Sequence, residues 1–370
     1  MNKYKNIIFW IPYVCAHITE FIGEVAKASP GVTVLCFANE GLLLSRKNLG
    51  WEEDSIFPFD CYVEPTAEFI NQTVKGCKGE SIHVFYGFRW MHVLIEGLKC
   101  VKSAGDPFII VQEPRVREGL SGELRFLHSW LTESWHRQKC LGVLGIGRHG
   151  PSWFKSVGYP PSKVFPFAYF VDPSNNVCIP EKLKSLSIGY VGRLIKMKGV
   201  DDLIVATHQL GIEARLTIVG SGEETQPLTR LCKDMGVNAE FLGVIPKNEI
   251  SGLIASFDLL ILPSRSMDDG WGVVVSEALM EGTAVIASSC VGASIVLDNP
   301  LAGIMVNPNS PSNIAAAISQ LRSREAFSSS MRLQRKDWAR AHLSAESGSQ
   351  YFLRILDHLI SGGPRPDSFL

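Results

Sequence analysis

The cysteines offer neither a metal cage nor a disulfide framework. There are nine in 370 residues, an odd count, and no C-x-x-C pair brings two together. They read as reduced thiols of a cytosolic protein, most of them buried. Neither sign of charge is in surplus. The 36 Lys and Arg face 37 Asp and Glu, for a net charge of −1, which gives no basis for wholesale nucleic-acid binding. No apolar run approaches the roughly 20 residues needed to span a bilayer. The opening run N-I-I-F-W-I (6–11) stops at Pro12 with no clean small-residue cleavage site after it, so it reads as a buried strand and not a leader. Tandem repeats and low-complexity tracts are missing too.

What is present is an alternation of apolar runs and helical patterns. Hydrophobic residues make up 46% of the chain, enough for substantial cores, and its length favours two domains. In the first half, 6–11, 32–37, 81–86, 107–112 and 141–146 read as strands, with helices over 15–28, 88–104 and 121–139. Near-continuous apolar strands separated by helices imply a parallel sheet covered on both faces. The stretch 172–187, polar and carrying two prolines, reads as a linker. The alternation then restarts, with strands at 187–192, 215–220, 239–243, 259–264 and 284–288 and helices at 199–211, 224–236, 247–257 and 272–281. The expected division is 1–172, a linker over 173–186, a second α/β domain over 187–343, and a terminal helix and tail over 344–370.

Three stretches carry candidate chemistry. In G-R-L-I-K-M-K-G (192–199), Arg193 and Lys198 follow a strand ending at Gly192. Arg binds a pyrophosphate bidentately and Lys adds a point charge, although a solvated basic loop would look the same. In V-G-S-G-E-E (219–224), Gly220, Ser221 and Gly222 give a ligand access to the backbone or simply make a tight strand–helix turn. In D-G-W-G-V-V-V-S-E (269–277), Asp269 and Glu277 bracket a turn with Gly270 and Gly272, Trp271 as a candidate wall, and a helix opening near Val273. A helix N-terminus favours anions, and a side chain in the second turn tilts back toward it. Two carboxylates so placed suit the hydroxyls of a sugar nucleotide.

Together these stretches, with F-L-G-V-I-P and D-L-L-I-L-P-S between them, resemble the C-terminal domain of retaining glycosyltransferases of family four over roughly 187–307. The resemblance implies a GT-B fold, with two Rossmann-like domains facing across a cleft. It implies Arg193 and Lys198 on the donor diphosphate, Glu277 on the ribose, Asp269 toward the donor sugar, and the backbone around Val244 at the base. It further implies no metal and no cofactor beyond the nucleotide-sugar substrate. Such a protein would be cytoplasmic and act on a glycan or lipid-linked acceptor in bacterial surface polysaccharide synthesis. A sugar-nucleotide epimerase of the same architecture and a non-catalytic sugar-nucleotide-binding subunit are the rival readings.

Two departures stand out. The family's first Glu is Asp269 here, and the glycine-rich loop after the first strand is replaced by P-Y-V-C-A-H-I-T-E-F (12–21). His17 in that stretch reads as a helix-surface residue. The family's strand-end histidine is matched by Glu113, which stands as a candidate catalytic group. His83, inside a strand, reads as a satisfied core histidine. Leu120, Leu124, Leu127 and Leu131 fall at helical spacing and read as a core-facing stripe. The basic and aromatic residues around them give an alternative, contact with a lipid-linked acceptor or with the inner face of a membrane.

Overall fold

The apolar runs become two parallel sheets. The computed structural model describes residues 4–42, 57–172 and 185–370. The chain divides into two units, Met1–Asp172 with Ser344–Leu370, and Pro173–Leu343. The linker expected at 173–186 lies, but for its last two residues, outside the described residues.

In the first unit, β1 (Asn6–Tyr13), β2 (Thr33–Glu40), β3 (Asp60–Val63), β4 (Ser81–Tyr86), β5 (Phe108–Gln112), β6 (Gly142–Ile146) and β7 (Val164–Phe167) form a sheet in the order β3-β2-β1-β4-β5-β6-β7. Trp10 anchors it from the central strand, its ring stacked 4.7 Å from Phe37 and 5.4 Å from Phe85. Its indole donates to His83 Nδ1 at 3.2 Å, and His83 is fully buried, in the core as expected but not fully satisfied, since its Nε2 stands 3.7 Å from Asp106 with no hydrogen bond. The terminal helix (Ala345–Ser361) packs on α1 (Ala16–Ala28), with Phe352 5.6 Å from Phe21 and 6.0 Å from Phe9.

In the second unit, β8 (Leu186–Val191), β9 (Ala214–Val219), β10 (Ala239–Gly243), β11 (Leu259–Leu262), β12 (Ala284–Ser288) and β13 (Gly303–Val306) are ordered β10-β9-β8-β11-β12-β13. The chain runs outward from β8 to β10, then crosses back to add β11 on the other side of β8. Strand order therefore reverses between β8 and β11, the place where open α/β sheets bind ligands at their carboxyl edge.

The helix after β11, Val273–Met280, has five of its eight residues buried. The helix Ser329–Leu343 packs against it. Arg335 there is 1% exposed and donates to Gly282 O at 2.7 Å, Leu301 O at 2.8 Å and Ala326 O at 3.0 Å. Arg332 donates to Phe257 O at 2.7 Å. Burial and the neighbouring Arg332 push the Arg335 pKa down to about 10, which leaves it charged at neutral pH. Arg335→Leu would strand three buried carbonyls. It should cost about 3 kcal/mol or more in urea-induced unfolding, against under 1 kcal/mol for an exposed control such as Arg322→Leu.

Candidate functional site

The loops leaving β8 and β11 meet at this reversal. After β8 the chain passes Gly192, the exposed Arg193 and the buried Leu194, then turns through Lys196–Lys198 into the helix Val200–Gln209. Tyr190, 1% exposed, donates its hydroxyl to Arg193 O at 2.9 Å and fixes the backbone beneath that cation. Arg265, from the loop after β11, bonds Asp201 at 2.9 Å and Asp202 at 3.0 Å, so the two loops are tied to each other.

The turn after β9 is packed against the turn after β8. A Cβ on Gly220 would lie 1.9 Å from Gly192 O, and one on Gly222 would lie 2.1 Å from Leu194 O. Leu194 N donates to Ser221 O at 2.9 Å. Glycine is required at 220 and 222 for this backbone contact, whatever ligand comes near. Ser221 and Gly222 are exposed beside it. Val244 follows β10 and is 42% exposed at the same edge of the sheet.

Lys198 is 9% exposed and donates to the Asp269 carboxylate, whose other oxygen accepts from the Ser264 hydroxyl. Sequence reasoning gave these two residues separate ligand roles. The structure pairs them, across 71 positions of sequence. Burial and then the Arg193 guanidinium lower the Lys198 pKa to about 8. The adjoining Asp269 carboxylate works the other way and holds the proton.

Gly270 and Gly272 both have positive φ, +61° and +78°, and Gly272 caps the helix Val273–Met280 with no side-chain partner for its first amides. Along that helix only Val273, Val274 and Glu277 keep partial exposure. These three share one stripe of the helix surface, so Glu277 is carried on its one open face. Trp271 is a correction. It is 1% exposed and its indole donates to Ser276 Oγ at 3.0 Å, so the ring belongs to the core and forms no wall. Between two left-handed glycines the chain turns that side chain inward.

In the first unit, Glu113 follows β5 and is half-buried. Its charge lies near Tyr169, whose pKa is raised well above its ordinary value, first by burial and then by that carboxylate. The Tyr169 ring lies 4.7 Å from the His17 ring, tilted by 58°, and Cys15 Sγ is 3.4 Å from His17 Nε2. His17 is therefore buried at 8% exposure, not on the helix surface, because the first turn of α1 faces inward. The arginines after Glu113 have other partners: Arg117 bonds Glu123 at 2.8 Å and Arg115 bonds Ser129 at 3.0 Å.

Comparison with known proteins agrees with this architecture. Residues 178–340, nearly all of the second unit, match the family of glycosyl transferases group 1. The chain is 33% identical over 142 residues to a glycosyltransferase of Methanocaldococcus jannaschii, covering 37% of this chain and 36% of the relative. It is 29% identical over 181 residues to a GDP-mannose-dependent monoacylated alpha-(1-6)-phosphatidylinositol monomannoside mannosyltransferase of Corynebacterium glutamicum, covering 47% and 46%. These matches span less than half the length of either relative. Among solved structures, a glycosyltransferase from Rickettsia africae superposes with a TM-score of 0.72 at 16% identity, over 98% of this chain and 100% of that one. Anabaena HepE in complex with UDP gives 0.69 at 16% identity, over 95% and 99%. The fold is of the GT-B class, two Rossmann-like parallel-sheet units.

Asp269→Asn removes the charge that opposes burial and Arg193 at Lys198. The Lys198 pKa should then fall further from its ordinary value, since burial and Arg193 are left unopposed. Competitive acylation at pH 7.5, read by peptide mass, should show Lys198 labelled several-fold faster in the variant, while the exposed Lys196 is unchanged.

Proposed function

We propose that the chain is a hexosyltransferase that moves a sugar from a nucleotide-sugar donor, held on the second unit, to a glycan or lipid-linked acceptor, with retention at the anomeric carbon. One observation carries this reading. At the point where strand order reverses, an exposed arginine, a buried lysine and an uncapped helix N-terminus gather, with a carboxylate on that helix's open stripe. Cations and free amides suit a diphosphate, and a carboxylate one turn further suits a ribose diol. Departure of a nucleoside diphosphate builds negative charge, which Arg193, Lys198 and the amides at Val273 and Val274 would stabilise without reorganisation. The exposed backbone around Val244 is assigned to the base. Glu113, beside Tyr169 and His17, is assigned to the first unit's share of the reaction, on the acceptor hydroxyl or the donor sugar. The relatives' names include GDP-mannose and the solved neighbours include a UDP complex, so both bases belong in the donor panel. Surface polysaccharide synthesis in the cytoplasm, or at the inner face of its membrane, is the assigned setting.

The test is transfer or hydrolysis across UDP- and GDP-sugars. Arg193→Ala and Lys198→Ala should each lower turnover per folded molecule by about 10²- to 10³-fold, the second with a loss of stability as well, since it leaves Asp269 buried and unpaired. Near wild-type rates in both would remove the diphosphate assignment, and donor binding without turnover would favour a binding subunit. Glu277→Ala should weaken the free nucleoside diphosphate about tenfold at pH 6.5 by calorimetry, the loss of a charge-assisted bond. Asp269→Asn should not.

Lys198 also sets a pH limit. It is a base with a lowered pKa of about 8, so it is charged below that value and loses its charge as pH rises through it. The apparent kcat/KM, which reports the free enzyme, should therefore fall above about pH 8. Lys198→Arg keeps its charge to far higher pH and should abolish that limb, whatever its effect on the plateau.

A further inference from the structure

Strands β2 and β3 set two cysteines side by side. Cys36 lies directly opposite Cys61 in their parallel register, between the pairs Leu35–Asp60 and Phe37–Tyr62. Register partners on parallel strands point to one face and stand about 4.8 Å apart, inside the roughly 4.4–6.8 Å Cα separation of a disulfide. The next pair along is turned to the other face, with the Phe37 and Tyr62 rings 5.4 Å apart. The two thiols differ in setting. Cys36 is fully buried, whereas Cys61 is half-buried on a strand of four residues at the edge of the sheet. Because β3 is paired on one side only, it can yield slightly to let the sulfurs approach. Burial holds the Cys36 thiol well above its ordinary pKa. Cys61 is moved the other way, first by a hydrogen bond from the Cys36 thiol. By contrast, burial pushes Cys140 and Cys232 up to about 11. Packing alone explains Cys36, since a buried Cys behaves as a small hydrophobe. It does not explain a half-open thiol matched to it in register.

We propose that Cys36 and Cys61 form a reversible redox site, oxidised by hydrogen peroxide to a disulfide that ties the edge strand to the sheet. Cys61, the accessible thiol and the better thiolate, attacks first. Its sulfur takes one peroxide oxygen and becomes a sulfenic acid, while the O–O bond breaks and one water leaves. The Cys36 thiol then attacks that sulfur. The S–S bond forms, the S–O bond breaks, and the Cys36 proton departs with the hydroxyl as a second water. Each sulfur gives up one electron, and the peroxide takes up both. The roles do not exchange, because burial closes Cys36 to peroxide. A small dithiol reverses the reaction by thiol–disulfide exchange, so in a reducing compartment the pair rests as two thiols. The proposal does not depend on the donor-site reading, since neither cysteine belongs to that site.

The experiment treats the reduced full chain with a small excess of hydrogen peroxide, blocks remaining thiols with N-ethylmaleimide and maps the peptides by mass. The peptides bearing Cys36 and Cys61 should appear joined, two hydrogens lighter than their sum, and should part again in dithiothreitol. In the untreated chain Cys61 should be alkylated about tenfold faster than Cys140. Cys36→Ala removes the resolving thiol, so Cys61 should stop at the sulfenic acid and its dimedone adduct should rise several-fold over the wild type. Cys61→Ser should leave Cys36 unoxidised. If Cys36→Ala folds poorly, Cys36→Ser takes its place, and if neither folds the wild-type peptide map decides alone. A bridge from either cysteine to any other thiol, or oxidation elsewhere with both left reduced, overturns the proposal. So does a dimedone adduct on Cys61 that loss of the Cys36 thiol does not raise.

Discussion

The buried pair of Lys198 and Asp269 is the contact on which the second unit's site depends. Each ion costs several kcal/mol to take out of water, and their attraction recovers this only with good geometry and further hydrogen bonds. The structure supplies one such bond from Ser264, itself 1% exposed. It also gives the pair a structural task. Lys198 ends the turn after β8 and Asp269 lies in the loop after β11, so the pair closes the two loops that flank the reversal of strand order. Replacing the pair with apolar residues would keep the closure and lose the charge. On the proposed function the charge is the point. A diphosphate reaching Lys198 would meet an ammonium already desolvated and already neutralised by a carboxylate. Its affinity would be set by how well it displaces that carboxylate, not by attraction to a free cation.

The rest of the unit can be understood as support for this arrangement. The helix Val273–Met280 is short, apolar and without a side-chain cap, a poor helix by local measures. Its place is set from outside, by Arg335 on the turn that follows it and by Trp271 driven into the core ahead of it. The consequence is an N-terminus with open amides and a single accessible stripe bearing Glu277. The glycines at 220 and 222 likewise serve packing first, letting two loops lie backbone to backbone at the sheet's edge. A ligand would then meet a surface made of main chain, which is a rigid partner.

Much of this was legible in the sequence, because strands buried on both faces are continuous apolar runs. All ten expected strands are present with ends shifted by a few residues, and they set the fold class. Strands β3, β7 and β13 were missed. Each has four residues, too few for a pattern, and each lies at a sheet edge, where composition is less constrained. The proline inside β7 argues against a strand anywhere else in a sheet, but an edge tolerates its missing donor. The single helix expected over 121–139 is two, broken at Glu133, whose side chain is turned inward to Arg89 and Tyr159. The Lys198–Asp269 pair was out of reach for a different reason. No local signal relates residues 71 positions apart, and each alone had a sound reading as a ligand contact.

The leucine stripe shows what periodicity can and cannot decide. Spacing of four, three and four residues places Leu120, Leu124, Leu127 and Leu131 on one side of a helix, and that much the sequence establishes. Periodicity does not say what covers that side. The deciding information lies on the opposite face, in the small residues Gly122 and Ser129, and in three arginines at 115, 125 and 137 that look like solvated charges. In the folded chain those arginines donate to a hydroxyl and to backbone carbonyls, and so make a polar bed for the helix. A helix bedded on guanidinium groups has its orientation fixed by hydrogen bonds, which leaves the leucine face to water. Exposing four leucines costs on the order of 1.5 kcal/mol or more each relative to burial. Phe126 completes that bed, packing on the core 6.3 Å from Trp153, so the helix is held by one aromatic and three guanidinium groups against the cost of its exposed leucines.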